Sequence, residues 1–167
     1  MKFSLVTLGF AALAVASPMA KRQNNIFSDQ DYNSLSISGG VAGNGEQEAL
    51  EKLGGLPADL STVSKADITF LGRVNSVANE AEKGAFNPAI EAATGAEADA
   101  LAAGKTKNKI LKLTATMLKL QAQAAQGEDV AAKMADEQKK LDNNIAADKA
   151  RAGEPSTALQ FDANTAN

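Results

Sequence analysis

Ile110, Leu113, Met117, Leu120 and Ala124 recur at alternating steps of three and four residues. That spacing is a heptad seam, and it commits residues 105–126 to a helix with a buried stripe. Leu111 and Leu118 form a second stripe well away from the first. A helix with two apolar stripes is expected to lie between two neighbours rather than on one. Lys105, Lys109, Lys112 and Lys119, with Lys107 among them, crowd the remaining face.

The neighbours are also legible. Ser64-x-x-Asp67 has the form of a capping box with Asp in place of Glu, ahead of a stripe of Val63, Phe70, Val74, Val77 and Ala81. This predicts a second helix from Ser61 or Ser64 to Lys83, stopped by Gly84. Asn87-Pro88 reads as the cap and first residue of a third helix running to Ala103, with Gly104 after it. Beyond Gly127, residues 128–152 carry a narrow stripe of Val130, Met134, Leu141 and Ile145. Asp129–Lys133 and Asp136–Lys140 would be supporting i,i+4 pairs. This last helix should fold back on the seam helix as an antiparallel hairpin, with Leu113 and Leu141 in mid-seam. Glu46 opens a further short helix that ends at Gly54-Gly55. No run alternates as a strand does. The expected fold is an all-α, Ala-rich, up-down helical bundle over residues 59–153. It is preceded by an irregular segment (23–58) and followed by a flexible tail (154–167). Ile26, Phe27, Tyr32, Leu35 and Ile37 are available to clip the irregular segment onto the core.

The start of the chain predicts an address. Met1-Lys2 precedes an apolar stretch over residues 3–15, and Ala14-Val15-Ala16 is a small-x-small site for signal peptidase. A pro-segment over 17–22 ends at Lys21-Arg22, a dibasic pair of the kind cut in a secretory pathway. Ala16 and Arg22 are thus the expected processing residues. Gln23 would become the first residue and would be able to cyclise to pyroglutamate. The expected location is extracellular.

Composition then narrows the chemistry. The chain has no Cys, no His and no Trp. Without disulfides it must hold itself by packing. Without imidazole or thiolate, zinc sites and Ser–His–Asp or Cys–His catalysis are excluded. The formal charge is −3, and processing would remove Lys2, Lys21 and Arg22 and make it more acidic. That argues against nucleic acid as a partner. No second long apolar run follows the first, so no membrane span is expected.

Several motifs have a plainer reading. Asp99 to Thr106 approaches a phosphate-binding loop, but Asp99 stands where the first glycine should be and no strand precedes it. Paired acids such as Glu97/Asp99 and Asp136/Glu137 sit too close in sequence to face each other across a sugar. Glu97 and Asp136, brought together from different helices, would be a pair invisible to sequence. Met117 and Met134 read as core filling, with an apolar pocket between helices as the other reading. Lys105, Lys109, Lys112 and Lys119 are the candidate interaction face for anionic lipid, polysaccharide or an acidic partner. The plainer reading is a solvated face paired with Glu91, Glu97 and Asp99.

Four segments carry a resemblance: Asp31-Tyr32-Asn33-Ser34-Leu35, Phe86-Asn87-Pro88-Ala89-Ile90, Gly104-Lys105-Thr106-Lys107-Asn108 and Asp136-Glu137-Gln138-Lys139-Lys140. With the leader, they resemble a family of ascomycete fungal small secreted proteins. The resemblance implies extracellular fungal origin and a place among effector candidates, and it carries no enzyme activity, cofactor or catalytic residue. The expected function is therefore non-catalytic contact with an extracellular protein or wall component. No cofactor and no metal site are expected. The alternative is a carrier of an apolar small molecule between the helices.

Overall fold

The computed structural model describes residues 25–166. Over these residues the chain is an all-α helical bundle with two isolated β-bridges. The helices are α1 (Tyr32–Leu35), α2 (Gly45–Lys52), α3 (Lys65–Ala81), α4 (Asn87–Ala92), α5 (Gly95–Ala125) and α6 (Ala131–Ala150). Among the described residues no helix is long and apolar enough to cross a membrane.

The Ser64 cap forms as its sequence pattern predicts: Ser64 Oγ accepts the Asp67 N–H at 3.0 Å. The reciprocal half of the box is used differently. Asp67 Oδ2 accepts the Ser64 hydroxyl, and Oδ1 accepts the backbone N–H groups of Ile26 and Phe27 at 2.9 and 3.0 Å. One carboxylate thereby starts α3 and holds the N-terminal segment on the bundle. Phe27 stacks on Phe70 with ring centroids 4.7 Å apart. Tyr32, Leu35 and Ile37 enter the core, whereas Ile26 stays exposed.

Gly84 does not stop α3. The chain continues through a π-helical turn, Glu82–Phe86, directly into α4. In a regular helix the Pro88 ring would crowd the carbonyl four residues back. The widened turn lies just ahead of it, and the Asn87 N–H reaches the Glu82 carbonyl instead. Gly84 serves packing, since a Cβ there would stand 3.0 Å from the Phe161 ring. Asn87 is accordingly helical and not a cap.

The break expected at Gly104 is also displaced. It falls at Ala93-Thr94, and α5 runs unbroken through Gly104 for 31 residues. A Cβ at Gly104 would overlap the Thr157 carbonyl, and the Thr157 N–H donates to the Ala100 carbonyl at 3.0 Å. The glycine admits the returning C-terminal segment against the helix. Residues 154–166 are therefore a docked strap and not a loose tail. Pro155 bridges Val41, Asn164 bridges Asp31, Ser156 Oγ donates to the Ser38 carbonyl at 2.6 Å, and Thr165 is fully buried.

Helix α5 is the axis of the bundle and packs against α2, α3 and α6. Ile110, Leu113, Met117 and Leu120 are buried as the seam requires, and Leu111 on the second stripe is fully buried. Ala124 lies beyond the packed region and is exposed, with Ala122 buried in its place. Helix α6 starts after Val130, later than Glu128-Asp129, so Asp129 precedes the helix and makes no ion pair along it. Lys140 pairs with Glu137 rather than Asp136. Gly127, at φ +92°, makes the turn between α5 and α6. Asn108 ties the layers together. Its Oδ1 accepts the buried Tyr32 hydroxyl at 2.9 Å and its Nδ2 donates to the Ala78 carbonyl at 2.8 Å.

Candidate interaction groove

Helices α3 and α6 both lie along α5 and leave a channel over its third face. Two clefts of about 500 and 330 Å³ occupy it and share Asn75 of α3 and Glu137 of α6. The floor carries Lys109, Lys112, Thr116 and Lys119, which repeat along α5 at helical spacing. The α6 wall adds Lys133 and Lys140, and the α3 side adds Asn79 and Gly72.

Glu82 organises one end. It is the first residue of the π-helical turn, and its Oε2 accepts from Lys112 Nζ at 2.7 Å. Lys109 Nζ stands 3.5 Å from its other oxygen. Lys112 Nζ also reaches Asn79 Oδ1 at 3.4 Å. Burial pushes the Glu82 carboxyl up. The Lys112 hydrogen bond, with the charges of Lys112, Lys109 and Lys105, outweighs it and leaves the group below its ordinary 4.5. A carboxyl depressed in the folded state stabilises above its unfolded pKa, and that stability is lost as pH falls through the folded value. Glu82→Gln should therefore be less stable than the parent at neutral pH, and the gap should close as pH falls through the depressed Glu82 value. Denaturant midpoints measured across that range check this.

Of the expected interaction face, Lys109, Lys112 and Lys119 line the channel. Lys105 does not line it, although its charge is felt at Glu82. Lys107 leaves the cluster altogether. It points to the other side of α5 and is fully buried, with Nζ 2.8 Å from the Gly39 carbonyl, 3.1 Å from the Val41 carbonyl and 2.7 Å from Glu48. The acids expected to neutralise the lysines are not the ones that do so. Glu97 and Asp99 lie on α5 itself, two turns from Lys105, because no hairpin separates them. Asp99 instead faces Arg151 at 3.7 Å.

Glu82 and Asn79 carry no signal in the sequence, and Lys133 and Lys140, expected as ion-pair partners along their own helix, instead join the channel wall. Local sequence gives Glu82 no mark, because its partner Lys112 lies 30 residues further along the chain. Glu97 and Asp136 are both exposed and line none of these clefts. The stretch from Asp99 to Thr106 is continuous helix, so it offers no phosphate-binding loop. Among the described residues no group of three or more acids stands close enough to hold a metal ion. Ala16 and Arg22 lie outside the described residues.

A family model described as a domain of unknown function, DUF8454, matches residues 27–160. The chain belongs to this family. No curated protein and no solved structure matches it. The DUF8454 match takes in every helix from α1 to α6, so the lysine channel falls wholly within the family's own region.

Proposed function

We propose that this DUF8454 chain is a secreted, non-catalytic protein of ascomycete fungal type that works by contact with an extracellular partner through the channel between α3 and α6. The observation that supports this reading most is the channel itself: a floor of half-buried lysines and amides, rimmed by the exposed Lys133 and Lys140, laid over an apolar core. Binding by such a surface needs no general acid or nucleophile. Leu71, Val74, Ile110 and Leu111 are fully buried where a carrier would need space, and the clefts are walled by charged and polar groups. That weighs for contact over the carriage of an apolar molecule. The leader, with Ala16 and Arg22 in order, supplies the address.

Mass spectrometry of culture filtrate tests the reading. The expected species starts at Gln23, blocked as pyroglutamate, and shows no turnover of glycoside, ester or peptide substrates. A chain found only inside cells and starting at Met1 would overturn it. So would hydrolysis abolished by one Asp→Asn or Glu→Gln change.

A further inference from the structure

We propose that the channel between α3 and α6 binds a linear acidic polysaccharide, with Lys119 and Lys133 taking its carboxylates. This rests on the reading of the chain as an interaction protein and names the class of its partner.

Charge comes first. Five lysines line the channel against two glutamates, in a chain of net charge −3. A cleft of one sign in a molecule of the other focuses field lines on itself. The two acids are already engaged: Glu82 takes Lys109 and Lys112, and Glu137 takes Lys140 at 3.0 Å. Lys119 and Lys133 have no acid partner among the described residues. They face the same cleft from α5 and α6. Gly72 lies beside this cleft, its Cβ position 3.3 Å from the flexible end of Lys119.

Shape and chemistry select the ligand class. From Lys109 to Lys119 the floor rises about 15 Å along α5, which suits an extended chain. Lys112 and Lys109 on the floor are only 17% and 35% exposed, so a flat bilayer surface would meet Lys133 and Lys140 on the rim but not the floor, whereas a single extended chain can lie along both. No aromatic ring lines either cleft, so bases have nothing to stack on. Leu113 and Leu120 are the apolar lining residues, too few to seat an amphipathic helix. The remaining lining groups are mainly amides: Asn75, Asn79 and Asn144 each use one end of the amide internally and leave the other, Oδ1, Nδ2 and Oδ1 respectively, for a ligand. A polyuronate presents one carboxylate and several hydroxyls on every repeat, the same mix of charged and neutral hydrogen-bonding groups.

The test is a titration of the full mature chain against labelled oligogalacturonate long enough to span the channel. A neutral oligosaccharide of equal length, polyglutamate and phosphatidylserine vesicles are the comparison ligands. The Lys119→Gln/Lys133→Gln double variant should lose affinity for oligogalacturonate by about tenfold or more. The Lys65→Gln/Lys139→Gln double variant removes the same charge at exposed sites elsewhere, and should stay within about twofold of the parent. Equal loss in both variants, tighter binding of polyglutamate or vesicles, or no binding of oligogalacturonate would each overturn the proposal. If the protein is exported from Gln23 and still fails this titration, the ligand class is wrong while the secreted-contact reading stands. Retention inside cells would count against that reading instead.

Discussion

Replacing Lys107 with Met is expected to destabilise the fold by about 3–5 kcal/mol, even though it removes only one lysine from a lysine-rich helix. The side chain is 0% exposed, and Met matches its stem up to Cε, so the packing of the stem is largely kept. What is lost is the ammonium. The Gly39 and Val41 carbonyls would each forfeit a charge-assisted hydrogen bond, worth about 1.5–3 kcal/mol apiece. Glu48, about one-third exposed, would regain some hydration and limit the damage on its side. The loop from Ser38 to Asn44 depends on this ammonium for its course, and the strap depends on that loop through Ala42 and Glu154. Denaturant melts should show the loss. Hydrogen exchange should show it first at Ala42 and Ser156, whose N–H groups are bonded across the loop and strap. Lys119→Gln on the same helix should change stability by no more than about 0.5 kcal/mol. Comparable losses in the two variants would mean that Lys107 is not the buried anchor.

Leu113→Ala and Leu141→Ala should each cost about 2–5 kcal/mol, the range for truncating a buried leucine whose site collapses only in part. Leu113 is 5% exposed and Leu141 8%, and both belong to the main core. Their consequences should differ in place. Leu113 is one of many buried residues on α5, so its loss is spread over the whole core. On α6 the buried apolar side chain is Leu141, with Met134 and Ile145 only partly covered. Leu141→Ala should therefore loosen α6 selectively, with faster amide exchange along residues 131–150 than in α3. An exposed α6 change such as Lys139→Ala should stay within about 0.5 kcal/mol. Because α6 forms one wall of the channel, Leu141→Ala is also expected to weaken any ligand held there.

Features decided by near neighbours in the chain were legible in the sequence. Ser64 caps α3 because its hydroxyl and the Asp67 N–H are three residues apart. The spacing of Ile110, Leu113, Met117 and Leu120 made one helix face apolar, and Leu111 made a second, so α5 had to lie between partners. Gly127 turned the chain because its φ of +92° suits a residue without Cβ. Tertiary structure decided what the other glycines and the lysines mean. Gly84 and Gly104 look like helix stops from either side in sequence. Each instead sits under the C-terminal strap, against Phe161 and the Thr157 carbonyl, which lie more than fifty residues away. Lys107 and Lys109 are alike in sequence, but two helical steps of about 100° separate them. One side therefore meets two backbone carbonyls and Glu48, and the other meets Glu82 and open channel. Periodicity shows that a helix has faces; only the packed chain decides what each face meets.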